Sequence, residues 1–169
     1  NVQDMSGMFD NATNFNKNLS SWDVTSVVNM SRMFAGATAF AQDLGTWNVT
    51  RVTNMQSMFE DAKSFNNDVA DWDVEGVVDM TAMFKGATLF NSDISAWNVG
   101  SVSDMDDMFS GASSFDQGFC WDLGTLSPYE GIVAGPVGSL YIIPGGLLDP
   151  YCTCPSETEY NAFGGQNGF

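Results

Sequence analysis

The sequence predicts an α/β repeat solenoid, a stack of about five strand–turn–helix coils closed by an irregular C-terminal cap. Three observations predict it. Met5, Met30, Met55, Met80 and Met105 recur at a strict 25-residue spacing. Phe9, Phe34, Phe59, Phe84 and Phe109 keep the same step, as do Phe15, Phe40, Phe65, Phe90 and Phe115. Trp22, Trp47, Trp72 and Trp97 keep it too. A period of this size marks a unit too small to bury a core alone, which becomes stable by stacking on its neighbours. No insertion breaks the period before residue 119, so the chain divides into a repeat domain over 1–119 and a non-repeat cap and tail over 120–169.

The elements follow from the second copy. Met30, Met33, Phe34 and Ala37 lie at i, i+3, i+4 and i+7, which predicts one apolar face of a two-turn helix. Asn29 stands ahead of it as a capping residue and Gly36 near its end. A turn follows, with Phe40 pointing inward. Leu44, Trp47 and Val49 come next, and Trp47 and Val49 alternate with polar neighbours as in a short half-buried strand. Stacking such units places a parallel sheet on one side and helices on the other. The Met and Phe columns fill the space between, where flexible Met side chains pack between rings.

The spacing Leu19-x-x-Trp22-x-Val24 follows the L-x-x-L-x-L core of leucine-rich repeats. The unit from Val27 to Val49, with its Asn-Met-x-x-Met-Phe-x-Gly-Ala-x-x-Phe signature, is more specific. It resembles the BspA-like leucine-rich-repeat surface proteins, whose 25-residue units occur on bacterial surfaces and in marine protists. The match runs from residue 2 to about residue 119. The resemblance implies a curved, leucine-rich-repeat-like stack on a cell surface, used for adhesion or protein contact.

Composition narrows the function. Lys and Arg total 5 against 21 Asp and Glu, His is absent, and the net charge is −16. Five scattered cations do not neutralise a phosphate backbone, so nucleic acid is excluded as a partner. An anionic membrane surface repels the chain for the same reason. Without His there is no Ser-His or Cys-His nucleophile pair and no His-ligated metal. No run of apolar residues is long enough to span a bilayer. Carboxylate columns on an open face lack the cleft that drives two pKa values apart, so the chain is read as no enzyme.

Four polar columns recur. Asp4, Asn29, Asn54, Asp79 and Asp104 are expected to cap one helix per coil. Asp23, Asn48, Asp73 and Asn98 alternate acid and amide, as expected of a hydrogen-bonded ladder between coils. Asn18, Asp43, Asp68 and Asp93 have two readings. The carboxylates either cap local turns, or Asp43, Asp68 and Asp93 pair between coils to bind calcium; no other cofactor is expected. The fourth column supplies the expected contact residues of the strand face: Thr25, Ser26, Thr50, Arg51, Glu75, Gly76, Gly100 and Ser101.

The remaining features concern the ends and the compartment. Val2 aligns with Val27, so the sequence opens inside a repeat, and further repeats or a partner are expected against that coil. Cys152 and Cys154 are too close for an easy bridge, which leaves Cys120 with Cys152 or Cys154 as the disulfide, or three reduced thiols. Leu140 to Ile143 is expected to add an edge strand or dock on a neighbour. Asn-x-Ser/Thr sequons begin at Asn11, Asn18, Asn29 and Asn48, although a repeat rich in Asn produces them by chance. The expected function is a non-catalytic interaction or adhesion module of a cell-surface or extracellular protein. The alternative is a structural subunit docked permanently in a larger assembly or filament, in the lumen of an organelle.

Overall fold

The computed structural model describes residues 1–117 and Trp121. The predicted cap and tail, Cys120, Cys152, Cys154 and the Leu140–Ile143 strand lie outside the described residues.

The strand–turn–helix solenoid is overturned. Among the described residues there is no helix, and β pairing is reduced to isolated parallel bridges, Asp4 to Asn29, Asn29 to Asn54, Asn54 to Asp79 and Asp79 to Asp104. The leucine-rich-repeat-like coil of sheet and helix is corrected with it. What forms is a stack of 25-residue coils made of consecutive tight turns. We number them from the bridge residue of each unit: coil 1 over 4–28, coil 2 over 29–53, coil 3 over 54–78, coil 4 over 79–103, and coil 5 from 104 onward.

The destination of the backbone N–H groups explains why no helix forms. An α-helix sends each N–H to the carbonyl four residues back. In coil 2 alternate N–H groups leave the coil instead. Met30 donates to the carbonyl of Asn54 at 2.9 Å, Arg32 to Gln56 at 2.8 Å, Phe34 to Met58 at 2.9 Å and Gly36 to Glu60 at 2.7 Å. The residues between turn back by three: Met33 donates to Met30 at 3.1 Å, Ala35 to Arg32 at 3.1 Å and Ala37 to Phe34 at 3.0 Å. Every backbone donor of this segment is therefore used, half within the coil and half on the next. The pattern requires left-handed backbone twice per coil. Arg32 has φ 58° and Gly36 φ 67°, each at the third position of a turn. A helix admits neither.

The strand expected over Trp47–Val49 is replaced for a similar reason. Trp47 donates its N–H to Leu44 and Val52 to Val49, both at 2.9 Å, so turns close on either side of a three-residue link. The residues expected on a strand face thus lie in turns.

The inward columns form one continuous core. Phe9, Phe34, Phe59, Phe84 and Phe109 stack along the coils with centroids 5.5, 5.5, 5.6 and 5.8 Å apart. Phe15, Phe40, Phe65, Phe90 and Phe115 form a parallel file. Inside each coil the two files touch, as with Phe59 and Phe65 at 4.0 Å. Met30, Met33, Met55, Met58, Met80 and Met83 are fully buried around them. The tryptophans add a polar tie. Trp47 Nε1 donates to the Leu19 carbonyl at 3.1 Å, Trp72 to Leu44 at 3.0 Å and Trp97 to Val69 at 3.0 Å. A buried indole N–H needs such an acceptor, and here it is backbone of the coil behind.

A further side-chain ladder ties the coils. Asn16 Oδ1 accepts the Ala41 N–H at 3.0 Å and Gln42 Nε2 at 2.7 Å. Asn66 Oδ1 accepts the Asn91 N–H at 2.7 Å, and Asn91 Oδ1 accepts the Asp116 N–H at 2.8 Å. Ala41 interrupts the file, because it offers no oxygen to residue 66. Ala41→Asn should complete it and raise stability by about 0.5–1.5 kcal/mol, the net value of one such bond. Urea titration tests this. An unchanged midpoint would show that the ladder adds nothing.

Candidate functional site

The expected contact residues gather along one edge. Each pair forms the two central residues of a β-turn: Thr25 and Ser26, Thr50 and Arg51, Glu75 and Gly76, Gly100 and Ser101. The turns are closed by Val27 N–H to Val24 at 2.9 Å, Val52 to Val49 at 2.9 Å, Val77 to Val74 at 2.9 Å and Val102 to Val99 at 3.0 Å. All eight valines are buried, so every turn stands on two apolar posts set in the core. The turn tips are exposed, apart from half-buried Ser26. The correction to the expected strand face is one of geometry: these residues share an edge of stacked turns.

The Asp23, Asn48, Asp73 and Asn98 column holds this edge in shape. Each Oδ1 accepts the N–H two residues on: Thr25 at 3.1 Å, Thr50 at 3.1 Å, Glu75 at 3.2 Å and Gly100 at 3.1 Å. The hydroxyls of Thr25 and Thr50 add bonds at 2.6 and 2.7 Å. The expected ladder between coils is therefore corrected to a local Asx turn in each coil, since the side-chain oxygen is committed to its own backbone.

The Asp4, Asn29, Asn54, Asp79 and Asp104 column is corrected likewise. With no helix to cap, each side chain closes a turn by accepting the N–H of residue 6, 31, 56, 81 or 106 at 2.8–3.0 Å. One bond does cross between coils here, Asn29 Nδ2 to Asp4 Oδ2 at 3.4 Å. The Asn18, Asp43, Asp68 and Asp93 column follows the same rule, with Oδ1 accepting from Ser20, Gly45, Ala70 and Ser95 at 2.8–2.9 Å. Asp43, Gly45, Thr46, Asp68 and Asp71 line an open depression of about 230 Å³. Among the described residues no three His, Cys, Asp or Glu side chains come together as a metal site, and Asp93 is outside the residues lining the depression.

The turn bonds set the acid titration. The Thr25 hydroxyl, and then its N–H, hold the Asp23 carboxyl below the ordinary aspartate value of 3.8. The hydroxyl of Ser6, and then its N–H, do the same for Asp4, and the N–H and hydroxyl of Ser95 for Asp93. A carboxyl whose folded pKa is depressed adds stability that is present above its unfolded pKa and lost as pH falls through the folded one. Asn48 and Asn98 make the same turn without a charge. Replacing Asp4, Asp23 and Asp93 with Asn should therefore leave the melting temperature at neutral pH nearly unchanged and reduce its fall below about pH 4. Melting curves across that range check this, and an acid loss identical to that of the parent chain would refute it.

The cations are few and partly committed. Arg32 bridges Asp10 at 3.2 Å and Glu60 at 3.3 Å, joining coils 1, 2 and 3, and Lys85 pairs with Asp107. These pairs are largely exposed and are worth at most about 1 kcal/mol each. Sequence reasoning did not single out the Asn16, Asn66 and Asn91 file. Its signal is present, as Asn or Asp at every coil except the one with Ala41.

Stacked tight-turn coils with a ring-filled core and an exposed edge of variable turns define the class as a repeat protein built from turns. Within that class the chain belongs to the family described as "Mycoplasma protein of unknown function, DUF285", whose model matches it twice, over residues 1–80 and 67–127. No curated protein and no solved structure is similar to the chain. Among the described residues no helix is long and apolar enough to cross a membrane.

Proposed function

We propose that the protein is a non-catalytic interaction or adhesion module of a cell-surface or extracellular protein. One observation carries this reading. The posts of the turn edge are valine in coils 1 to 4, while the tips read Thr-Ser, Thr-Arg, Glu-Gly and Gly-Ser. A constant scaffold that presents a different pair of residues at each step suits recognition of a macromolecular partner along the stack. The likeness of the repeat to BspA-like surface proteins supports the cell-surface placement.

The partner is engaged through Thr25, Thr50, Arg51, Glu75 and Ser101, with Arg51 and Glu75 as opposite charges on neighbouring coils. The experiment is capture of binding partners from the surface fraction of source cells, followed by affinity measurement with Arg51→Ala and Glu75→Ala. Loss of affinity with unchanged melting temperature is the expected result. Unchanged affinity for both variants would remove the edge from consideration.

Native size measurement separates this reading from a subunit docked permanently in a larger assembly: a stoichiometric complex that survives dilution favours the subunit, and a protein that releases its partner favours the adhesion module.

A further inference from the structure

Four sequons occur in the repeat, and the fold separates them sharply. Asn29 is half-buried, and its Nδ2 is spent on Asp4. A substituent there would intrude where coils 1 and 2 meet at a β-bridge. Asn11 sits in left-handed backbone at φ 57°, donates its Nδ2 to Asp10 at 2.9 Å, and lays its side chain over Gly36. Asn18 is exposed, but Ser20 reaches it through the backbone N–H.

Asn48 differs from all three. It is exposed on the turn edge, and its Oδ1 accepts both the N–H of Thr50 at 3.1 Å and the Thr50 hydroxyl at 2.7 Å. Its Nδ2 has no hydrogen-bond partner among the described residues. The amide oxygen is thus held by the hydroxyl at the +2 position, the residue a sequon-reading transferase requires, and the nitrogen that would be modified is free. We propose that Asn48 is a site of N-linked glycosylation, with a polyprenyl-diphosphate-linked oligosaccharide as the donor. In the transfer the anomeric carbon forms a bond to Nδ2. Its bond to the diphosphate oxygen breaks, the polyprenyl diphosphate leaves with the electron pair, and one Nδ2 proton passes to a base of the transferase.

The fold accommodates the product. Oδ1 keeps its two bonds after substitution at Nδ2, so the Asx turn survives and the glycan projects from the edge. Asn98 supplies an internal control, because it makes the same turn with Gly100, which has no hydroxyl.

The inference rests on the extracellular placement proposed above, and the test keeps the two apart. The full chain, carried behind a secretory leader into endoplasmic-reticulum microsomes, and the protein purified from its source are both mapped by glycopeptide mass spectrometry. Asn48 is expected to be occupied in both. Thr50→Val should abolish the modification, Thr50→Ser should retain it, and Gly100→Thr should add one glycan at Asn98. A bare Asn48 in microsomes overturns the site itself. Occupancy in microsomes with a bare Asn48 in the source protein overturns the placement, and with it the claim that the native protein carries this glycan.

Discussion

Phe59→Ala should lower the unfolding free energy by about 3–5 kcal/mol, the cost of emptying a closely packed aromatic site. Phe59 is fully buried in the central coil and meets a ring on every side: Phe65 at 4.0 Å, Phe34 at 5.5 Å, Phe84 at 5.6 Å and Trp72 at 6.4 Å. Collapse into the void is opposed by backbone bonds that hold coils 2 and 4 at fixed separation through coil 3. Phe15→Ala is the comparison, since that ring lies in coil 1 and is only partly buried. Its cost should be distinctly smaller. Chemical denaturation of the two variants measures the difference, and equal losses would contradict a core that is continuous through the middle of the stack.

The second large effect concerns one backbone column. Asn11, Gly36, Asp61, Gly86 and Gly111 all have positive φ. The side chain of Asn11 lies over Gly36, where an added Cβ would meet Asn11 Oδ1 at 2.8 Å and its Cα at 3.3 Å. Asp61 lies over Gly86 in the same way, and an added Cβ there would collide with Asp61 Oδ1. A side chain in one coil thus demands glycine in the next. Gly86→Asn should cost about 1–3 kcal/mol through overpacking, even though Asn tolerates left-handed backbone. Adding Asp61→Gly to it should recover most of that loss, because residue 86 would then lean over Gly111 with glycine behind it. A double-mutant cycle reads the coupling. Additive losses would refute the alternation.

These two residue sets also show where sequence reading succeeds and where it stops. Burial of the Met, Phe, Trp and Val columns follows from the 25-residue period, because any stacked fold must hide the apolar positions that recur at each step. The helix does not follow. Met30, Met33, Phe34 and Ala37 match helical spacing, yet successive four-residue turns, each closed by a bond three residues back, place the same positions inward. The discriminating signal is the column in which Asn11 and Asp61 stand where other coils have Gly. Gly, Asn and Asp share one property that a helix interior does not need, tolerance of left-handed backbone. The candidate turn edge is legible as positions and not as shape. Thr25, Thr50, Glu75 and Gly100 were found by spacing, but their turn geometry depends on bonds from Asp23, Asn48, Asp73 and Asn98 that a pattern of residue types does not draw.

The hydrogen bonds between coils carry a kinetic consequence. The described backbone bonds between coils join residues 24–26 apart, as with Met30 to Asn54 and Ala39 to Thr13, and the tryptophan ties reach 28. No distant segment has to be found before a coil can close. During synthesis each coil needs only about one further period of chain to leave the ribosome before its partners are all present. Loop-closure entropy is then set by the unit and stays the same however many units are strung together. The chain can be wound up from its first coil while its last is still being translated, and lengthening it by whole units adds time in proportion to length without adding a new folding barrier.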